Sequence, residues 1–153
     1  MRFTKLIQSL AVLVVVASLL AACGAPAPTA TQAPQQAEKL YIPLISKGFQ
    51  HQFWQAVKQG AEQAATDLNV EITFEGPESE AMVDKQVEMF QTALDKSPDA
   101  ICLAAVDSKA FEPLLEQAKA ANIPVIGFDS GVESDIPLST AATDNIAAAA
   151  LAA

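Results

Sequence analysis

Histidine, tryptophan and tyrosine each occur once in the 153 residues, and cysteine twice. A single histidine, His51, excludes a zinc centre built on paired histidines. It also leaves no serine or cysteine with a recognisable base partner, and no nucleophile-elbow glycine pattern is present. No enzymatic set is therefore expected. With six glycines in all, positions such as Gly48, Gly60, Gly76, Gly127 and Gly131 never gather into a phosphate-cradling run. Cations are scarce too: nine Lys and Arg stand against eighteen Asp and Glu, a net charge of -9. Binding a nucleic-acid backbone needs clustered positive charge to displace counterions, so nucleic acid is excluded as a partner. Neither a metal nor another cofactor is called for. Asp84, Glu88 and Glu80 are spaced as on one helix, but without histidine they read as a solvated face.

The one long apolar run lies at the start. Arg2 and Lys5 precede an apolar core from Leu6 to about Leu20, and small residues follow, which fits an export signal rather than a spanning helix of ~20 apolar residues. The tetrapeptide Leu20-Ala21-Ala22-Cys23 reads as a lipoprotein cleavage site. Cleavage after Ala22 leaves Cys23 to carry the lipid, with the protein held outside the cytoplasm at the cell surface or in the periplasm. If Cys23 is acylated, Cys102 has no disulfide partner. In the apolar run Ala100 to Ala105 it reads as a small buried hydrophobe. From Gly24 to about Ala37 the chain is rich in Pro, Ala, Thr and Gln without large apolar residues, the composition of an extended tether. The expected organisation is a signal peptide over 1–22, lipidated cysteine and tether over 23–38, an α/β lobe over 39–143, and a further segment opening at 144–153.

About 130 residues remain after the signal, enough for one domain with its own core. From Lys39 onward short apolar runs alternate with helical patterns, the signature of βαβ units and a parallel, doubly wound sheet. Strands are expected at Leu40–Ser46, Val70–Glu75, Ala100–Ala105, Pro124–Phe128 and Leu138–Thr143. Trp54, Val57, Ala61, Ala64 and Leu68 mark the apolar face of a first helix, Val83, Val87, Phe90 and Leu94 a second, and Phe111, Leu114, Leu115, Ala118 and Ala121 a third. Asn69, Ser97-Pro98, and Asn122 followed by Pro124 are stop signals. Asp144 to Ala153 opens a fourth helix without a C-terminal signal, the pattern expected of a fragment.

Ligands of open α/β sheets bind beyond the carboxyl ends of the strands. His51, Phe53 and Trp54 follow the first expected strand, Asp107 and Ser108 the third, Asp129 the fourth, and Asp144 and Asn145 the fifth. Flat rings suit the C–H faces of a sugar or polyol, and carboxylates and amides suit its hydroxyls. Other readings compete. Trp54 also belongs to the apolar face of the first helix, Asp129 before Ser130-Gly131 suits a turn, and Asp107 with Ser108 suits a helix cap. Lys47 and Gln52 are expected to be solvated.

In this order, the strand Leu40 to Ser46, Phe53-Trp54, Lys58-Gln59-Gly60-Ala61, Ala121 to Asp129 and Ala142-Thr143-Asp144-Asn145 resemble the ribose-binding-like type I periplasmic binding proteins. These are the sugar-binding components of bacterial ABC importers. The resemblance covers essentially everything after Lys39. It implies two similar α/β lobes closing on a sugar, with this chain holding the first lobe and the truncated opening of the second. It also implies delivery to ABC permease subunits without chemical change, and a monomer. By the same resemblance His51 is a polar sugar contact, Phe53 and Trp54 a stacking pair, and Asp129 the carboxylate gripping hydroxyls, while Asp144 and Asn145 mark the hinge crossing. Ser130 stands where close ribose binders have arginine, and His51-Gln52 where the family has Asn-Pro, so the polar side of the implied pocket departs from that of a ribose binder. A receptor for a furanosyl signalling molecule is an alternative, and a surface-tethered hydrolase a remoter one. A repressor of the same fold is opposed by the export signal and the acidic charge.

Overall fold

The computed structural model describes residues 38–153. The expected signal peptide, the lipidation of Cys23 and the tether up to Ala37 lie outside the described residues. The five strands are β1 (Tyr41–Ile45), β2 (Glu71–Glu75), β3 (Ile101–Leu103), β4 (Val125–Phe128) and β5 (Ser139–Ala141). The helices are α1 (Gln52–Leu68), α2 (Val83–Asp95), α3 (Glu112–Ala120) and α4 (Asn145–Ala152). All strand pairs are parallel, in the order β2-β1-β3-β4-β5. The alternation of short apolar runs with helical periods thus resolves into the expected α/β sheet.

Strand order decides which helix covers which face. The step from β1 to β2 runs one way along the sheet, while the steps from β2 to β3 and from β3 to β4 run the other way. With right-handed crossovers, α1 falls on one face, and α2 and α3 together fall on the other. The paired face holds the core. Ile45, Ile101, Leu103 and Val125 from the strands pack against Phe90, Ala93 and Leu94 of α2 and Leu114, Leu115 and Ala118 of α3. Phe90 and Phe111, both fully buried, meet edge to face with ring centroids 5.6 Å apart.

The other face departs from expectation. Of the five apolar positions along α1 only Trp54 is buried, Val57 and Ala61 are half-buried, Ala64 is exposed and Leu68 is 71% exposed. One helix cannot cover a five-stranded face. Ile42, Leu44, Cys102 and Ile126, which alternate with the core residues, accordingly remain half-buried. Burial is still sufficient to push the Cys102 thiol pKa upward, because the thiolate would lose hydration.

The stop signals act through the left-handed region. Asn69, Ser97 and Asn122 have φ of 54°, 51° and 56°. After α1 and α3 the motif closes with Val70 N–H donating to Ala65 O and Ile123 N–H to Ala118 O, the bonds of a Schellman end. After α2 the equivalent residue is Pro98, which has no N–H. Strand β3 is shorter than the apolar run Ala100–Ala105 because the carbonyls of Ala104 and Ala105 accept from the side chains of Gln86 and Ser130 instead. Truncation of a ring at the centre of the one well-filled core should be costly. Phe90→Ala is expected to lower unfolding free energy by about 3–5 kcal/mol, measured by denaturant titration.

Candidate functional site

The carboxyl ends of the strands are joined by a buried amide. Gln86 sits on the apolar stripe of α2 and is fully buried. Its Nε2 donates to Ser46 O (2.8 Å) and Ala104 O (2.7 Å), and its Oε1 accepts from Val106 N–H (2.8 Å). These bonds hold the exits of β1 and β3 together where the direction of the crossovers reverses, the switch point at which such sheets bind ligands. Ser46, also fully buried, donates its hydroxyl to carbonyls of Gly48 and Glu75 and so ties in the exit of β2. The loops after β1 and β2 come so close that a Cβ on Gly76 would stand 2.4 Å from Ser46 Oγ and 2.8 Å from Gly48 O. Only glycine fits there.

On this base the next residue, Lys47, turns inward. Its Nζ lies 2.9 Å from Asp129 Oδ2 and 3.9 Å from Glu80 Oε2, with side-chain exposures of 21% for Lys47 and 27% for Asp129. The same ammonium stands 5.8 Å from the centre of the Trp54 ring. Asp129 occupies the left-handed region with φ of 59°, a conformation that Asp tolerates better than most residues. Its backbone N–H donates to Ala141 O, and Ser130 Oγ donates to Ala105 O. The carboxylate is thus fixed on both its backbone and its side-chain side.

Beside Asp129 opens a cavity of about 410 Å³ lined by Phe53, Val57, Phe128, Asp129, Ala141, Ala142, Thr143 and Asn145. It combines a 46% exposed ring, Phe53, with a carboxylate, a hydroxyl and an amide. A second groove of about 350 Å³, lined by residues including His51, Trp54, Glu78 and Glu80, lies between the loops after β1 and β2.

The structure sorts the residues named from the sequence. Phe53, Asp129 and Asn145 meet in the cavity. Trp54 is 2% exposed, packed edge-on against Phe53 (4.8 Å) and Phe128 (6.3 Å), with its indole N–H directed to Glu80 Oε1 at 3.3 Å. Its rings therefore offer no free face, and of the two residues only Phe53 is exposed to the cavity. His51 caps α1, its Nδ1 accepting from Phe53 N–H, which leaves the outer nitrogen to carry the proton of the neutral ring. Asp144 likewise caps α4 by accepting from Ala147 N–H. Asp107 accepts from the N–H groups of Lys109 and Ala110, and those two bonds hold its carboxyl below the usual range. It lines neither cavity. Two expectations are corrected: Lys47 is an ion-pair partner rather than solvated, and Glu80 precedes the start of α2 instead of lying on it. Gln86 and the role of Lys47 were missed in the sequence, although the place of Lys47 at the exit of β1 and of a glutamine among Val83, Val87 and Phe90 could have pointed to them.

A parallel lobe that gathers aromatic and polar side chains at the carboxyl ends of its strands is a ligand-binding architecture. The chain belongs to the periplasmic binding protein domain family, whose model matches residues 42–153. A solved structure described as an ABC transporter, LacI family transcriptional regulator from Brachyspira murdochii is 45% identical with a TM-score of 0.70, over 74% of this chain and 37% of its own. A carbohydrate transporter solute binding protein from Agrobacterium radiobacter, in complex with D-arabinose, is 31% identical with a TM-score of 0.70, over 76% and 39%. The D-ribose/D-allose-binding protein of Pseudomonas aeruginosa is 25% identical over 122 residues, 78% of this chain and 38% of its own. The chain therefore spans about two fifths of the length of these relatives, and its fold is that of the first lobe of a type I periplasmic binding protein.

The lowered pKa of Asp107 makes stability depend on pH. A carboxyl depressed in the folded state contributes stability above its unfolded pKa and loses it as pH falls through the folded value. The melting temperature of Asp107→Ala should fall below that of the unsubstituted protein at neutral pH, and the two curves should converge in acid, as followed by thermal melts across pH.

Proposed function

We propose that the protein is an extracytoplasmic solute-binding lipoprotein that captures a sugar or polyol and delivers it to the permease of an ABC importer. The observation that carries this reading is the cavity in which the exposed face of Phe53 stands beside the Asp129 carboxylate, with Thr143 and Asn145 completing its polar rim. A ring for the C–H face of a sugar, together with a carboxylate accepting from two hydroxyls, matches that ligand class. Family membership and relatives named for D-arabinose and for D-ribose/D-allose support the same class. In this reading Cys23 is the lipid attachment point and the Pro-rich segment after it the leash. No catalysis is assigned, since the site presents hydrogen-bonding groups without a nucleophile and base pair.

The cavity is open, and sugar sites of this kind act by burying most of the ligand. The 153-residue chain by itself is expected to bind sugars no tighter than about millimolar by calorimetry. Protein expressed from the complete reading frame is expected to bind saturably at least one of D-ribose, D-allose, D-arabinose and xylitol. In that protein Asp129→Asn should weaken binding by ~10- to 100-fold, the loss of charge-assisted hydrogen bonds. Failure of all four ligands to bind, or an Asp129→Asn variant that binds as well as the original, would overturn the reading. Cys23→Ser should move the protein from the membrane fraction to the soluble fraction.

A further inference from the structure

We infer that Lys47 is the positioning residue of this site, holding the Asp129 carboxylate in the orientation from which it accepts ligand hydroxyls. The inference rests on the reading of the cavity given above and adds to it a residue that does not line that cavity.

The Lys47 backbone follows directly on a residue held by hydrogen bonds. Its neighbour Ser46 is fully buried, its carbonyl accepts from Gln86, its N–H donates to Glu75 O, and its hydroxyl reaches Gly48 and Glu75 carbonyls. The side chain then leaves a fixed point. Its ammonium is bounded by Asp129 at 2.9 Å, Glu80 at 3.9 Å and the Trp54 ring at 5.8 Å. Glu80 is itself anchored through the Trp54 indole N–H. The pair with Asp129 is mostly shielded from water, so it is screened less than a surface pair.

Asp129 needs such a partner. A carboxylate has two oxygens and several rotamers of similar energy, and only one oxygen, Oδ2, is taken by Lys47. That leaves Oδ1 as the acceptor available to the cavity. The backbone of Asp129 stands in the left-handed region, with φ of 59°. Without the ammonium nothing else among the described side chains is bonded to this carboxylate. Lys47 also joins three loops: its own after β1, Glu80 from the loop after β2, and Asp129 after β4. A ligand that orders Asp129 is thereby coupled to the loop carrying Glu80.

The test is a double-mutant cycle on protein expressed from the complete reading frame, read by calorimetry with the tightest binder among D-ribose, D-allose, D-arabinose and xylitol. Lys47→Met keeps the length of the side chain and removes its charge. It is expected to weaken binding ~10- to 100-fold while leaving the melting temperature within a few degrees, and Lys47→Arg should recover most of the affinity. If Lys47 acts through Asp129, Lys47→Met/Asp129→Asn binds no more weakly than Asp129→Asn alone. Lys58→Met, which removes an exposed cation from α1, should change nothing. Losses that add in the double variant, or a Lys47→Arg variant as weak as Lys47→Met, overturn the positioning role while leaving the sugar site standing. Absence of binding by all four ligands in the unsubstituted protein overturns the site and this inference together. That outcome is distinct from additive losses.

Discussion

The geometry of the site depends on one buried amide. Burying a primary amide is unfavourable unless its donors and acceptor are paired, and the penalty is larger than the net gain of any single bond made. Gln86 meets that condition only when the ends of β1 and β3 and the N–H of Val106 stand where they do. The amide therefore selects one spacing of the two strand exits rather than merely adding stability. Ser46 extends the same constraint to the exit of β2, and Gly76 permits the close approach that follows. Loops that carry binding groups are ordinarily the mobile part of a domain. Here the first residues of three such loops are held by fully buried polar side chains.

Charge is distributed to match. The chain is acidic overall, yet the cation beside the cavity is held against a carboxylate, a second carboxylate and an indole ring. Pairing Lys47 with Asp129 leaves the cavity close to neutral, which suits a ligand whose polarity lies in hydroxyls rather than in a net charge. Trp54 supports this arrangement from beneath. Its N–H holds Glu80, and its ring packs edge-on against Phe53 and Phe128.

The lobe is asymmetric in how its sheet is covered. The face under α2 and α3 is filled by two interlocking phenylalanines and aliphatic residues, and the core lies there. The opposite face carries α1, with Leu68 exposed at its far end. The one buried residue of α1, Trp54, lies in its N-terminal turn, and that turn faces the cavity through Phe53. Packing is thus concentrated at the end of the helix where the site is.

Residue order alone determined the class and sequence of the elements. Apolar spacing of two or of three to four reflects which face of a strand or helix can be buried, and that property is local. The left-handed stops at Asn69, Ser97 and Asn122 are equally local, since they follow from short polar side chains that tolerate positive φ and from proline beyond. Phe53, Asp129 and Asn145 were also legible, because the strand-end rule names positions along the chain. Their roles were not. Whether Trp54 is buried or free, whether His51, Asp107 and Asp144 face a ligand or their own backbone, and whether Lys47 is solvated all depend on groups 26 to 82 residues away or on side-chain rotamers. An ion pair between Lys47 and Asp129 exists only once the order β2-β1-β3-β4-β5 has set their loops side by side. Sequence patterns record what each residue can bury or bond. The tertiary structure decided which partner it received.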